Sequence, residues 1–270
     1  MCPIVEHPVT IAVDPQTKIW KYFKRNHFDS LIEDESLFCR RLLDFALSDD
    51  PFEGTIPCED QKRDRRIALG NPNLDVAALK IRVEMAESID GFGMRARTVI
   101  NSWTINDTEV EHMWRIYADA RRDQHGVAVW STVGQLYKAL ADAPEQIYAS
   151  SVRYIDYRTD TFYRRGAYEH GTENVMVPMI HKHSHGFVDE REFRLLHQHI
   201  GGGQPDSWWT QYGNCRGHKI RVDLSELISG IVLSPFATTE QKDDVRSLCV
   251  AKGIFAPVMF SQRSTLRGCD

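Results

Sequence analysis

The sequence of 270 residues has no apolar run long enough to cross a bilayer as a helix, so it predicts no membrane span. It also lacks an excess of basic residues, because 33 lysines and arginines stand against 38 aspartates and glutamates, for a formal net charge of −5. Non-specific binding to a phosphate backbone needs a basic surface. The charge balance therefore argues against a dedicated nucleic-acid coat protein, although a local basic cleft remains compatible with it.

Cysteine occurs six times, but no two cysteines form a C-x-x-C pair. In a chain of this length, such scattered cysteines do not indicate a disulfide framework, and they disfavour a structural zinc site built on cysteine. The first ten residues, MCPIVEHPVT, lack the basic and apolar regions of a secretory signal. These absences predict a cytoplasmic protein in a reducing environment.

Signature motifs of several common enzyme classes are missing as well. The sequence holds no G-x-x-x-x-G-K-[ST] phosphate loop, no H-E-x-x-H zinc motif and no G-x-S-x-G nucleophile turn. A catalytic site therefore has to be sought among charged residues that the secondary structure brings together.

What is present is an irregular mixture of strand and helix patterns. Strands are predicted at 19–23, 36–40, 99–103, 126–130, 146–157, 192–197, 219–222 and 231–233. Helices are predicted at 27–33, 74–89, 108–121, 133–141 and 238–252, with Asp107 and Ser131 as N-caps of the third and fourth. The glycine-rich stretch at 201–217 is expected to be a long surface loop. This order predicts a single α+β domain over 1–270, with a mixed or antiparallel sheet core and flanking helices.

The most informative stretch is Glu190-Arg191-Glu192-Phe193-Arg194, which lies on or beside a predicted strand. Alternate residues of a strand face the same side, so Glu190, Glu192 and Arg194 are expected on one face. A solvated outer face with weak surface ion pairs is one interpretation. The other is a polar cleft, where one carboxylate binds a substrate hydroxyl or acts as a base and the arginine fixes an anionic group.

A group of large side chains is expected in the core. Met113, Trp114 and Tyr117 share one stripe of a predicted helix, and Trp103 lies on the strand before it. The hydroxyl group of Tyr117 is expected to reach a polar partner in the cleft, because a buried tyrosine tip needs one.

Three histidines at alternate positions form another conspicuous pattern. His181, His183 and His185 could face one way on a strand and bind a metal ion. No second pair of suitably spaced ligands accompanies them, so the sequence assigns no metal ligands.

The order of several short motifs resembles that of a widespread, mostly bacterial family of unknown function. These motifs are Ile19-Trp20-Lys21-Tyr22, Asp50-Pro51-Phe52-Glu53-Gly54, Ser102-Trp103, Met113-Trp114 with Tyr117, the segment 126–132, the segment 154–157, Lys182 with Phe187, Glu190-x-Glu192-x-Arg194 and Val232-x-Ser234-Pro235. Over about residues 19–265 the chain is similar to the domain-of-unknown-function family numbered 2971. That resemblance implies no particular reaction.

A second resemblance does imply a reaction. ADP-ribosyltransferases carry an arginine on an early strand, a Ser-Thr pair at the end of a middle strand and an E-x-E motif that opens a later strand. Arg40, Ser131-Thr132 and Glu190-x-Glu192 occur here in that order. The resemblance implies an enzyme that consumes NAD as its substrate, by ADP-ribosyl transfer or by hydrolysis of the glycosidic bond. Helix capping is the competing explanation of Ser131.

The same resemblance implies roles for individual residues. Glu192 is expected to be the catalytic carboxylate that stabilises the cation formed as nicotinamide leaves, and Glu190 is expected to orient the acceptor. The residues expected to bind the pyrophosphate, the ribose or a ring of NAD are Arg40, Ser131, Trp103, Tyr117, Lys182 and Arg194.

Two other functions stay open at this point. In a metal-dependent nuclease or phosphodiesterase, Asp50, Glu53, Glu190 and Glu192 would bind magnesium through oxygen. In a non-enzymatic sensor or partner-binding module, the charged strand face would recognise a partner, in bacterial antiviral defence or in a toxin system. The expected small-molecule partner is a nucleotide, and no membrane partner is expected. The acceptor, whether protein or nucleic acid, and the oligomeric state are left open.

Overall fold

The structure is a computed structural model, and it describes residues 3–48, 50–62, 92–118, 125–162, 176–198 and 216–263. The strands are β1 (Ile4–Val5), β2 (Lys18–Phe23), β3 (Ser36–Arg41), β4 (Thr98–Ile105), β5 (Val127–Thr132), β6 (Ile147–Ser151), β7 (Arg153–Ile155), β8 (His181–His183), β9 (Glu192–Gln198), β10 (Gly217–Arg221), β11 (Gly230–Leu233) and β12 (Val258–Phe260). The helices are α1 (Arg25–Asp34), α2 (Leu42–Ser48), α3 (Phe92–Arg97), α4 (Glu111–Tyr117), α5 (Val133–Ala139), α6 (Leu224–Leu227) and α7 (Thr239–Ala251).

Ten of the strands form one mixed sheet. Its main path runs β1-β6-β9-β4-β2-β5-β11-β12, and β3 joins β4 to β10 beside this path. The pairs β1–β6 and β11–β12 are parallel, and the other pairs of this sheet are antiparallel. Strands β7 and β8 form a separate parallel pair. The α+β class and the mixed sheet with flanking helices are therefore confirmed.

Most predicted elements are found, with shifts of at most four residues at their ends. The predicted strand 146–157 is two strands with different partners, since β6 pairs with β1 and β9 whereas β7 pairs with β8. Helix α2 was not predicted, since its short apolar run carries no strong periodicity. The predicted helix 74–89 and most of the loop 201–217 lie outside the described residues.

The prediction that Asp107 caps a helix starting at residue 108 is wrong. Helix α4 begins at Glu111, and Val110 is the preceding cap residue. The amide of Val110 donates to the hydroxyl of Tyr22 at 2.7 Å, and Glu109 accepts from Trp114 Nε1 at 2.9 Å. These tertiary contacts hold the chain extended where local capping rules predict a helix.

Ser131 does not cap helix α5, as the sequence suggested. The N-cap is Thr132, whose hydroxyl accepts from the amide of Gln135 at 3.2 Å while the Gln135 side chain accepts from the Thr132 amide at 3.1 Å. This reciprocal pair is a capping box. Ser131 is the residue before it and still belongs to β5.

One face of the sheet carries the largest apolar core. Residues directly paired on neighbouring strands place their side chains on the same face, and so do alternate residues of one strand. Ile19 pairs with both Ile105 and Ser131, and Trp103 lies on the same face as Ile105. Trp103 belongs to the core cluster that helices α1, α5, α6 and α7 complete. This face is therefore covered by helices.

The opposite face carries two smaller apolar clusters. One joins Ile100 and Leu196 of the sheet to Met179. The other joins Trp20 of β2 to Trp114 of α4. Between the two clusters lie the pairs Ser102–Arg194 and Thr104–Glu192 of β4 and β9. These pairs contain the charged residues of the candidate site.

No helix within the described ranges is long and apolar enough to span a membrane.

Candidate functional site

The candidate site begins with two residue pairs on adjacent strands. Ser102 of β4 pairs with Arg194 of β9, and Thr104, two residues further along β4, pairs with Glu192. Both charged residues of this set are buried. Because burial of an unpaired charge costs many kcal/mol, such residues need partners close by.

Arg194 holds the largest number of these partners. Its Nε and Nη2 atoms donate to the two carboxylate oxygens of Glu192, at 2.8 and 3.0 Å. Its Nη1 atom donates to Oε1 of Glu53 at 2.7 Å and to the carbonyl oxygen of Met179 at 2.7 Å. A guanidinium group matches two carboxylates in this way because its N–H groups have a fixed fork geometry. Arg194 therefore ties the turn that contains Glu53 to the sheet.

Lys182 joins the two glutamates of the E-x-E motif. Its Nζ atom lies 2.6 Å from Oε2 of Glu190 and 3.4 Å from Oε2 of Glu192. The same atom lies 4.4 Å from the centroid of the Phe187 ring. We call the set of Glu53, Lys182, Glu190, Glu192 and Arg194 the ion network. It contains three carboxylates and two cations, and all five side chains are buried.

Glu190 and Glu192 meet Lys182 through a turn and not through strand alternation. Glu190 ends a 3-10 turn, Arg191 has a positive φ of 43°, and β9 begins only at Glu192. The left-handed conformation is costly for a residue with a side chain. The expectation that Glu190 and Glu192 share a strand face is therefore corrected, although their side chains do come together.

Tyr117 marks the end of the ion network nearest the protein surface. Its hydroxyl donates to Oε1 of Glu190 at 2.6 Å, and 38% of the residue is exposed. Trp103, Met113 and Trp114 are buried, as predicted, whereas Tyr117 is more exposed than its place in the stripe suggested. Tyr117 ends helix α4, so its ring leaves the apolar stripe while its hydroxyl turns to the carboxylate.

The two glutamates differ in how many acceptor positions their partners occupy. A carboxylate offers about four lone-pair positions. Glu192 accepts four hydrogen bonds, two from Arg194, one from Lys182 and one from Ser102. Within the described part of the chain, Glu190 accepts two, from Tyr117 and Lys182. Of the two glutamates in the E-x-E motif, Glu190 is therefore the one with acceptor positions left for a ligand.

Charge compensation fixes the ionisation of the network. Burial acts to raise the pKa of Glu192, but Arg194 and Lys182 outweigh it and lower the pKa to about 2. Burial likewise acts to lower the pKa of Lys182, and the carboxylates of Glu192 and Glu190 raise it above its ordinary value. Burial raises the pKa of Glu53, whose partner Arg194 is shared with Glu192. Glu192 and Lys182 thus stay charged at neutral pH.

The structure does not bring every predicted site residue to this place. Ser131 and Trp103 lie on the helix-covered face, opposite Glu192, so neither shares a cleft with it. Arg40 lies on the same face as Arg194 but pairs with Ile100, two residues along β4 from Ser102. Its Nη2 atom donates to the carbonyl oxygen of Asp44 at 3.0 Å, and its guanidinium lies over the Phe45 ring at 4.3 Å.

Arg194 was expected to bind an anionic part of the cofactor. With 0% of its surface exposed and its guanidinium bound to two glutamates and a carbonyl oxygen, it instead holds the carboxylates in place. Lys182 is also buried, but it contacts the Glu190 carboxylate that lies beneath Tyr117.

Three residues of the site make contacts that were not predicted from the sequence. Glu53, for which the sequence suggested only the role of a magnesium ligand, binds Arg194 from a position 141 residues earlier. Ser102 donates to Glu192, and the hydroxyl of Tyr154 accepts from the Glu192 amide at 2.9 Å. Burial and the Glu192 charge raise the pKa of Tyr154. No short-range pattern finds such pairs, although all three residues lie in the quoted motifs.

The alternating histidines have structural contacts. His181 Nδ1 lies 2.6 Å from the carbonyl oxygen of Val177, and the His183 ring packs edge-on against Phe52 with centroids 4.8 Å apart. Among the described residues, no group of three or more histidine, cysteine, aspartate or glutamate side chains is arranged to hold a metal ion.

Comparison with family models, with characterised proteins and with solved structures finds no match for this chain. The function therefore has to be argued from the site itself.

Proposed function

We propose that this chain is an NAD-consuming enzyme, of ADP-ribosyltransferase or NAD-glycohydrolase type, whose substrate ribose binds at the Glu190–Tyr117 end of the ion network. The observation that supports this proposal most is that Glu190, a buried carboxylate fixed beneath the partly exposed Tyr117, accepts only two hydrogen bonds from the residues that the structure describes. The resemblance to ADP-ribosyltransferases, which rests on Arg40, Ser131-Thr132 and the E-x-E motif and of which only the E-x-E motif lies at this site, supplies the reaction class.

The chemistry needs a carboxylate at this position. When the bond between the ribose and nicotinamide breaks, its electron pair leaves with nicotinamide and positive charge develops on the ribose. Water or an acceptor then attacks the same carbon and loses a proton to solvent. A carboxylate held in a low-dielectric site stabilises the developing charge, as in glycosidases. Lys182 and Tyr117 hold Glu190 in one orientation, which avoids a reorganisation cost in the transition state.

In this proposal the roles of the two glutamates differ from those that the resemblance implied. Glu190 contacts the ribose, since it has acceptor positions to offer. Glu192 acts through Lys182 and Arg194 as a positioning residue, because its oxygens are engaged. Tyr117 contributes its partly exposed ring to the binding surface, where a planar ring of the substrate can stack.

The magnesium alternative fits this geometry less well. Magnesium binds oxygen ligands and is usually held through one or two carboxylates. Here the ammonium group of Lys182 already lies between Glu190 and Glu192, and the guanidinium group of Arg194 lies between Glu192 and Glu53. A divalent cation bound by these carboxylates would have to displace both basic groups.

The second candidate function is a non-enzymatic binding module. It is favoured by the internal pairing of Arg194 and Glu192, which is typical of a buried network that fixes a fold. Under this alternative, Tyr117 and Glu190 form part of a partner surface in a defence or toxin system, and no NAD is consumed.

Nicotinamide release distinguishes these functions. The purified chain is incubated with NAD, with and without EDTA and with a panel of protein and nucleic-acid acceptors, and nicotinamide is quantified by chromatography. We expect release that EDTA does not reduce and that Glu190→Gln lowers about 10²–10³-fold. The control is Lys219→Met, which removes an exposed ion pair with Asp34 that is not part of the ion network. Release abolished by EDTA would support the metal enzyme, and no release under any condition would support the binding module.

A further inference from the structure

The hydroxyl group of Tyr154 lies at the turn that carries Glu190 and Glu192. It accepts a hydrogen bond from the Glu192 amide at 2.9 Å. Tyr154 also pairs with Lys182 in the parallel pair of β7 and β8, so the two side chains lie on the same face of these strands. Lys182 is the residue whose ammonium group contacts the Glu190 carboxylate. Tyr154, which is half-buried, therefore lies beside the end of the ion network where the proposed substrate binds.

The proton of this hydroxyl group has no acceptor in the described part of the chain. A phenol group offers one O–H donor as well as acceptor positions, and the contact with the Glu192 amide uses only an acceptor position. Burial, together with the negative charges of Glu192 and Glu190, raises the pKa of Tyr154, so the group keeps its proton at neutral pH. A tyrosine hydroxyl away from bulk water usually has a hydrogen-bond partner. This donor is therefore available to a ligand.

Glu190 and Tyr154 offer complementary groups to one ligand. The Glu190 carboxylate only accepts hydrogen bonds, and two of its positions are taken by Tyr117 and Lys182. The charge of Glu190 acts on the Tyr154 phenol, which indicates that the two groups are close together. A carboxylate acceptor beside a phenol donor matches two neighbouring hydroxyl groups, because each hydroxyl can donate as well as accept. The ribose of NAD has such a pair in its 2′- and 3′-hydroxyl groups.

We infer that Tyr154 donates a hydrogen bond to the 3′-hydroxyl group of the ribose whose 2′-hydroxyl group Glu190 binds, and so selects a substrate with an intact cis-diol. The 2′-hydroxyl is assigned to the carboxylate because contacts at that position strengthen as positive charge develops on the neighbouring carbon. The 3′-hydroxyl is then left for Tyr154. This contact exists both before and during the reaction, so it should contribute to binding and hardly to kcat. The inference rests on the proposed function, since it places the substrate ribose at Glu190.

Binding of two unreactive ligands measures this contact. One is carba-NAD, in which a methylene group replaces the ring oxygen of the nicotinamide ribose, so that no oxocarbenium ion can form. The other is the same molecule without its 3′-hydroxyl group. Isothermal titration calorimetry should show that the unaltered chain binds carba-NAD about 3- to 10-fold more tightly than the 3′-deoxy analogue, which is the effect of one hydrogen bond. Tyr154→Phe should bind the analogue at least as tightly as the unaltered chain does, and should bind carba-NAD no more tightly than the analogue.

Tyr22→Phe is the matched control. The Tyr22 hydroxyl also accepts from a backbone amide, that of Val110 at 2.7 Å, but it belongs to the apolar cluster of Trp20 and Trp114 and not to the ion network. This variant loses the same kind of contact and should keep the preference for carba-NAD. Urea denaturation of both variants checks that each one is folded at the temperature of the titration.

The possible results separate this inference from the proposed reaction. The inference is overturned if folded Tyr154→Phe still prefers carba-NAD by the full factor, or if it binds both ligands more weakly by the same factor, as a purely structural role predicts. If the preference depends on Tyr154 but the unaltered chain releases no nicotinamide from NAD, the ribose site stands and the proposed reaction is overturned. If the unaltered chain binds neither ligand, the ribose site and the proposed function are both overturned.

Discussion

The Nζ atom of Lys182 lies 2.6 Å from Oε2 of Glu190, and these two side chains are 8% and 9% exposed. Each group is charged in a place that water scarcely reaches, so each depends on the other for its solvation. Because Lys182 also contacts Glu192, its removal leaves two buried carboxylates with one cation fewer. Lys182 is therefore expected to stabilise this face together with Arg194.

Lys182→Met tests this dependence. We expect the free energy of unfolding to fall by about 3–5 kcal/mol, since removal of one partner leaves buried charge uncompensated. Urea denaturation at neutral pH measures the change, and the exposed pair in Lys219→Met should cost less than about 1 kcal/mol. A loss for Lys182→Met as small as that of the control would show that water solvates the two carboxylates.

The acid limb of the stability curve should reflect Glu192. Its pKa falls from the ordinary 4.5 to about 2 in the folded protein, so its stabilising contribution is present above about pH 4.5 and is lost as pH falls towards 2. The contribution is on the order of 3 kcal/mol by linkage. Urea denaturation measured between pH 2 and 7 should therefore show a shallower acid limb in Glu192→Gln than in the unaltered chain. If the stability of the unaltered chain and of Glu192→Gln fell equally steeply with pH, the lowered pKa of Glu192 would be contradicted.

Substitutions at Arg191 test whether its left-handed backbone conformation is strained and whether the turn positions Glu190. Its φ of 43° costs about 1–2 kcal/mol for a residue with a Cβ atom, whereas glycine adopts it freely. Arg191→Gly should change stability by less than about 1 kcal/mol, because the relief is offset by the greater entropy of the unfolded chain. Arg191→Val should destabilise by more than about 1 kcal/mol.

Glu35 offers a matched control for Arg191. It has a φ of 49° at the end of α1, away from the ion network. Urea denaturation should show that Glu35→Gly and Arg191→Gly are tolerated equally well. Of the two valine variants, only Arg191→Val should lower nicotinamide release in protein that remains folded, whereas Glu35→Val should not. Equal release in Arg191→Val would show that this turn does not position Glu190.

Much of the fold follows from the sequence, because its strongest signals are local. The strands at Ile19, Ile231 and Phe193 lie where apolar and β-branched residues cluster, and helix α7 lies within the predicted helix 238–252. The sequence failed where tertiary contacts override local preference. Glu109 accepts three hydrogen bonds, including two from the segment at 261–262, and so delays the start of α4.

The candidate site was only partly predictable for the same reason. The spacing of Glu190, Glu192 and Arg194 predicted their proximity, although the turn at Arg191 and not strand alternation produces it. The face on which Ser131 lies depends on the register of β5 against β2, which no motif encodes. The pairing of Glu53 with Arg194 likewise spans 141 residues.

The proposed division of roles between the two glutamates leads to the last prediction. Glu190→Gln should lower kcat for nicotinamide release about 10²–10³-fold, because an amide cannot offer the negative charge that stabilises a developing cation. Its effect on the Kd for NAD should be small, since that charge matters mainly in the transition state. Glutamine can still accept from Lys182 through its one carbonyl oxygen, and its amide can donate to the Tyr117 hydroxyl, so the fold should be retained.

Glu192→Gln should behave differently. It leaves the guanidinium group of Arg194 and the ammonium group of Lys182 without a shared partner, so the main loss should be in the free energy of unfolding. Single-turnover kinetics with a binding titration, run on each variant below its melting temperature, measure the split between kcat and Kd. If folded Glu192→Gln loses turnover while Glu190→Gln retains it, Glu192 contacts the ribose, and the ion network must open for the substrate to reach it.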